Sequence, residues 1–317
     1  MSRIHDALKK AEEERMASQG DPGPSSFAMP EAGELPMMAP LEEPRVVVDA
    51  GEPAGGVSHS SEMPSFASPF SLDALLARCP QLQWKPDEKT MLFFNGDDNA
   101  HGTEEFRTLR SRIYHTREKM ALKKILVTSA LPKEGKSFTS ANLAQVLVRQ
   151  HGRRVLLVDA DLRDPRLHMM LGTTSSPGLS DYLQGGTDEF SIMQRGAMEN
   201  LFFIPSGRQI SDPSELVANG RLKVLLQRVE VLFDWIIVDS PPAVPVSDAS
   251  VLAKACDGVL MVVRSNTTPA ETARRAREEF PDQILIGVVT NGADHESSLS
   301  SRHYYDTYVK NVTESKS

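Results

Sequence analysis

The stretch Lys123–Leu147, KKILVTSALPKEGKSFTSANLAQVL, decides the fold. It opens with an apolar run, Ile125–Val127, of the length of a buried strand. A loop containing Pro132 and Gly135 follows, and a run of helix formers begins at Lys136-Ser137. Strand, loop ending Gly-Lys-Ser, and helix, in that order, gather backbone N–H groups and a helix N-terminus around an anion. Gly135 is expected to permit close backbone approach, Lys136 to reach the β- and γ-phosphates of a nucleotide, and Ser137 to hold Mg2+. Lys133, Glu134 and Phe138 complete the loop expected around the nucleotide. The pattern wants glycine six residues before the lysine, where this chain has Ala130. The methyl group bears on the tightness of the first turn rather than on the phosphate site.

Outward from this loop the chain alternates. Apolar runs predict strands at 124–129, 154–159, 201–205, 234–239, 258–263 and 284–290. Helical patterns fit 136–150, 178–184, 213–229, 248–254 and 269–279. Upstream, 103–119 reads as a helix capped by Thr103, with Phe106, Leu109 and Ile113 on its buried face. Continuously apolar strands separated by helices imply a mainly parallel sheet with helices on both faces, an α/β P-loop NTPase fold.

Two further strands end in acid: RVLLVDAD, ending at Asp159 and Asp161, and WIIVD, ending at Asp239. In a parallel sheet the carboxyl ends of neighbouring strands open onto one crevice. Lys136, Ser137, Asp159, Asp161 and Asp239 are therefore expected to converge on one MgATP. Asp239 fits the usual second Mg2+ anchor. Two more carboxylates exceed what hydrolysis needs, whereas transfer to a phenol, of pKa ~10, could use one to orient and deprotonate the hydroxyl.

The 317 residues carry a formal net charge of −8. Residues 1–19 sum to zero and 20–85 to −6, which leaves −2 for the rest. No part has the basic excess that nucleic-acid binding needs. The two cysteines cannot make a disulfide framework, which favours a reducing compartment. No apolar run approaches the ~18 residues of a membrane span, and the N-terminus has no secretory h-region, so a cytoplasmic protein is expected.

Four segments are predicted. Residues 1–19 form a short helix with a narrow apolar stripe (Ile4, Ala7, Leu8, Ala11), too short to stand alone and so expected to dock. Residues 20–85 form a mostly disordered acidic linker: nine Pro, six Gly and seven Ser fall in 20–70. A short helix near Leu72–Arg78 interrupts it, and structure resumes near Met91–Phe94. Residues 86–295 form the P-loop domain. Residues 296–317 form a tail holding three of the five tyrosines, Tyr304, Tyr305 and Tyr308.

Together SALPKEGKS, VLLVDADLRDPR and WIIVDSPP resemble the motifs of the bacterial tyrosine kinases of capsule and exopolysaccharide operons, over about residues 90–317. The opening SRIHDALKKAEEER resembles stand-alone cytoplasmic members. The resemblance implies that Lys136 and Ser137 bind MgATP, that Asp159 and Asp161 form a Walker A′ motif, and that Asp239 is the Walker B acid. It implies that Glu104, Arg107 and Arg110 pack subunits into a homo-oligomeric ring, and that Asn291 contacts adenine. It further implies autophosphorylation of Tyr304, Tyr305 and Tyr308 between subunits, a separate membrane-anchored activator that recruits the protein to the inner membrane, and a tyrosine phosphatase.

Two other readings compete. A P-loop ATPase switch of the septum-positioning or partition type carries an extra lysine five residues before the main one. That position is Leu131 here, Lys133 comes two residues too late, and the acidic balance disfavours a DNA-bound protein. A binding protein whose ATP site only controls assembly would bind MgATP without forming phosphotyrosine.

Overall fold

A computed structural model describes residues 71–94 and 102–293 of the chain. The helix expected over 1–19, most of the linker and the tail tyrosines lie outside the described residues.

Seven strands form one sheet: β1 (Lys124–Ser129), β2 (Val155–Asp159), β3 (Gln194–Arg195), β4 (Leu201–Ile204), β5 (Trp235–Asp239), β6 (Gly258–Arg264) and β7 (Leu285–Asn291). Their order is β3-β4-β2-β5-β1-β6-β7, and all neighbours are parallel except β3 against β4. The helices are α1 (Leu72–Arg78), α2 (Thr103–Lys119), α3 (Lys136–Val148), α4 (Leu167–Leu171), α5 (Leu179–Leu183), α6 (Pro213–Ala218), α7 (Arg221–Val229), α8 (Asp248–Ala253) and α9 (Ala270–Glu278). Among the described residues no helix is long and apolar enough to cross a membrane.

The period-two alternation of strand side chains divides the interior in two. Leu126, Leu156, Val158, Ile236 and Val238 face one core with Leu75 of α1 and the apolar faces of α5 to α9. Ile125, Val127, Val155, Leu157, Trp235 and Ile237 face the other, with α2, α3 and α4. Strands β2, β4 and β5 are buried along their whole length, and their sequences are apolar up to the terminal acids of β2 and β5. Helix α3 is buried along nearly its whole length, which fixes the phosphate loop at its N-terminus to the middle of the sheet.

Several expectations need correction. Helix α2 is capped by Gly102 in the left-handed region, φ 97°, with Thr103 as its first residue. The single helix expected over 213–229 is two, because Gly220, at φ 78°, turns the chain between α6 and α7. Helix α4 and the two-residue strand β3 had no counterpart in the sequence reading.

The folded unit also begins before residue 86. Leu75 and Cys79 are buried, and the N–H groups of Leu82 and Arg195 donate to Arg195 and Pro80 carbonyls at 2.9 and 3.1 Å, covering the β3 edge. Trp84 meets Phe203 edge-on at 6.3 Å. It fits only because residue 196 is glycine: a Cβ there would stand 2.3 Å from the indole Cδ2. Asn142 of α3 then grips the same arm, donating to the Thr90 carbonyl at 2.8 Å and accepting from the Leu92 N–H at 2.9 Å.

Candidate active site

Strands β2, β5 and β1 lie side by side, so the loops leaving their carboxyl ends share one crevice. Asp159 and Asp239 are register partners, and Asp239 is also paired with Val127 of β1. The phosphate loop follows β1. Its backbone departs from ordinary geometry twice, at Lys133 (φ 66°) and Gly135 (φ 97°). A Cβ on Gly135 would stand 2.0 Å from Asn291 Nδ2.

The sequence-predicted core of the site is brought together. Lys136 Nζ lies 2.8 Å from Asp161 Oδ2, both side chains nearly buried. Asp161 Oδ1 accepts the backbone N–H groups of Arg163 and Asp164 at 3.3 and 3.1 Å. Asp239 Oδ1 accepts from the Ser140 hydroxyl at 2.9 Å, and Ser137 bonds the same carboxylate. Asp159 Oδ2 accepts the Leu167 N–H at 3.1 Å, at the start of α4.

Three carboxylates share this space with one ammonium, and the ionisation of each reflects it. Burial, then Asp239 and Asp161, hold the Asp159 carboxyl well above the usual carboxylate range. Burial pushes Asp239 up to about 6, against the opposing pull of Lys136 and Ser137. Burial alone would lower the Lys136 ammonium, but Asp239 and Asp161 outweigh it and raise the pKa.

Among the described residues, Asp159 Oδ1 and Asp239 Oδ2 are buried with no hydrogen-bond partner. A buried unpaired acceptor is costly. Both oxygens therefore fit a site completed by a cation. The described residues include no group of three or more His, Cys, Asp or Glu side chains placed to cage a metal alone. Two unpaired carboxylate oxygens suit Mg2+, which would take one or two carboxylates and its remaining ligands from phosphate and water.

Other predicted residues are placed differently. Phe138 turns its ring towards Phe106 of α2, 5.8 Å away, so only its backbone remains for phosphate. The Glu134 carboxylate is engaged inside the loop scaffold: it accepts the Leu131 N–H at 2.8 Å and bonds the Thr268 hydroxyl. The Lys133 carbonyl accepts from Arg264 at 3.2 Å. Asn291, at the end of β7, donates its amide to the Glu134 carbonyl at 2.9 Å and so clamps the loop from outside. On α2, Glu104 and Arg107 form an ion pair, whereas Arg110 folds back onto the Val146 carbonyl at 3.1 Å. Tyr304, Tyr305 and Tyr308 lie outside the described residues.

Sequence reasoning missed Ser140 and the Thr268–Arg264 support. Ser140 was recoverable, since it stands one helical turn after Lys136 and therefore on the same face. Thr268 is more than 130 residues from Glu134 in sequence, and no local spacing announces it.

The AAA domain family model matches residues 123–274, the segment from β1 to α9. The tyrosine-protein kinase YwqD of Bacillus subtilis is 34% identical over 207 residues, 65% of this chain and 86% of that protein. EpsB of Ralstonia nicotianae, named a putative tyrosine-protein kinase, is 35% identical over 212 residues, but these span 28% of its length. The kinase domain of the Escherichia coli tyrosine kinase ETK superposes with a TM-score of 0.56 at 29% identity, covering 62% of this chain and 80% of that one. A nucleotide loop, three carboxylate-bearing strand ends and a relative matched over most of its length agree, and the chain belongs to the bacterial tyrosine-protein kinase family.

Proposed function

We propose that the protein transfers the γ-phosphoryl group of ATP to tyrosine hydroxyls, first of all to Tyr304, Tyr305 and Tyr308 of a neighbouring copy. The observation that carries this reading is the surplus of carboxylates. A nucleotide site needs Lys136, Ser137 and Asp239; Asp161, held by two backbone amides and facing Lys136, is left for the acceptor.

In this reading the loop N–H groups and Lys136 bind and orient the phosphates. Ser137 and Asp239, with Asp159, would hold Mg2+, which would neutralise phosphate charge. Asp161 orients the tyrosine hydroxyl and accepts its proton. The tyrosine oxygen forms the new bond to γ-phosphorus as the bond to the β–γ bridging oxygen breaks, and ADP leaves. Positioning and charge stabilisation supply most of such a rate enhancement.

The same reading assigns exposed Glu104, half-buried Arg107 beside it and Arg110 behind them to packing between copies. A membrane-anchored activator, an opposing tyrosine phosphatase and a role in exopolysaccharide production belong to it. The ATPase-switch alternative gains nothing from the site, since Leu131 stands where its second lysine belongs.

Incubation of the purified full chain with MgATP, followed by mass spectrometry, tests the proposal. Phosphotyrosine at 304, 305 or 308, lost in Lys136→Met, is expected. A wild-type chain that binds ATP and forms no phosphotyrosine overturns it.

A further inference from the structure

Asp248 begins α8 and is buried, yet it takes no part in the chemistry above. A buried carboxylate has to be paired. Arg163 grips it with two prongs, Nε to Oδ2 at 2.8 Å and Nη2 to Oδ1 at 3.2 Å. The Ser214 hydroxyl, on α6, donates to Oδ1 at 2.8 Å and accepts from Arg163 Nη2 at 2.6 Å. Three side chains from three separate segments close one polar knot.

Its location gives it a role. Arg163 stands two residues beyond Asp161, in the turn whose N–H groups hold Asp161 Oδ1. Asp248 stands at the far end of the loop that Asp239 begins. The knot therefore ties the outer ends of the two loops whose inner ends carry the site's carboxylates. Asp248 is buried but the Arg163 side chain is 38% exposed, and an ion pair open to solvent on one side contributes little net stability, so its two-pronged geometry calls for a positional reason.

We propose that Asp248 is a positioning residue: through Arg163, and braced by Ser214, it fixes the turn that aims Asp161 at the acceptor hydroxyl. The inference rests on the kinase reading for the identity of the acceptor. The linkage runs from Asp248 to the Arg163 side chain, to the Arg163 and Asp164 amides, to Asp161 and so to Lys136.

Asp248→Asn in the full chain tests it. The amide keeps the shape and loses the charge. Hydrogen exchange at the Arg163 and Asp164 amides is expected to quicken about tenfold, with β2 and β5 unchanged. The turnover number for phosphotyrosine formation, per nucleotide-binding site, should fall about 10- to 100-fold, since small misplacements of a reacting group have that effect. Affinity for MgADP should stay within about threefold, because the phosphate loop is untouched. Arg163→Lys, which keeps the charge but not the fork, should fall between the two.

Unchanged exchange at 163 and 164, or a turnover within about twofold of wild type, overturns the inference. So does faster exchange throughout β2 and β5 with activity lost in proportion to nucleotide-binding sites, which marks a purely structural role. Absence of phosphotyrosine from the wild type counts against the kinase reading instead. The exchange measurement and MgATP hydrolysis then still decide whether Asp248 positions the turn.

Discussion

Gly135→Ala puts a number on the phosphate loop. Residue 135 sits at φ 97°, where an L side chain costs about 1–2 kcal/mol. The new methyl carbon would stand 2.0 Å from Asn291 Nδ2 and 3.1 Å from its Cγ. Asn291 must then withdraw, and its hydrogen bond to the Glu134 carbonyl goes with it. That bond is worth about 0.5–1.5 kcal/mol net. The two effects together disfavour the nucleotide-ready loop by about 1.5–3.5 kcal/mol, which weakens binding roughly 10- to 400-fold. The assay is titration with fluorescently labelled ADP, alongside Asn291→Ala and the double variant. With the Asn291 side chain already gone, the glycine substitution should cost only the backbone part, about 1–2 kcal/mol, so the two penalties should not add. A Gly135→Ala protein that binds ADP within about threefold of wild type, or penalties that add in full, would falsify the clamp of Asn291 on the loop.

Three further outcomes follow from the same geometry. The folded state holds the Asp239 proton more tightly than the unfolded chain, with a pKa of about 6 against 3.8. Stability of the nucleotide-free protein should therefore fall as pH rises from about 4 to 6, by an order of ~3 kcal/mol, and stay low above that. Urea titrations should find this slope reduced in Asp239→Asn, with the variant more stable than wild type at pH 8; identical slopes would sink the argument. Trp84→Ala should cost about 3–5 kcal/mol in thermal or urea melts, and a chain starting at residue 86 should melt well below one starting at 71. Phosphates on Tyr304, Tyr305 and Tyr308 add about −5 in all, so sedimentation should find the phosphorylated chain less assembled than its triple Tyr→Phe counterpart, and equal profiles would count against tail-mediated packing.

What the sequence disclosed was whatever depends on neighbours along the chain. The apolar runs ending at Asp159 and Asp239 are strands because both faces of the sheet are covered, and burial on both sides leaves a mark in composition. The order strand, Gly-Lys-Ser, helix was legible for the same local reason. The Asn219-Gly220 turn signal was also present, but the apolar pattern on either side of it reads as one helix unless the left-handed glycine is given priority. The helix at Leu72–Arg78 was legible, but nothing local announced that Leu75, Cys79 and Trp84 bury their side chains against the sheet. The clamps stayed hidden. Asn291 to Glu134 and Arg163 to Asp248 join residues 157 and 85 positions apart, and such pairs are set by strand order rather than by spacing.

The site's own side chains are arranged against stability. Asp159, Asp161 and Asp239 are all buried within reach of a single cation, Lys136. Desolvation raises two of the three carboxyls, and one oxygen on each of those two has no donor among the described residues. A fold under no functional demand would replace such a cluster with apolar groups or add a second cation. In the proposed function the deficit in positive charge is what bound Mg2+ would supply. A cation at the free oxygens would relieve the repulsion, while phosphate oxygens would offer Lys136 an alternative to Asp161. In the proposed function, releasing Asp161 from Lys136 would free a carboxylate oxygen for a hydroxyl proton and couple nucleotide binding to readiness of the base. Asp161→Asn therefore separates two functions: it removes the partner that competes with phosphate for Lys136, so ADP affinity should hold or rise, while transfer to tyrosine fails.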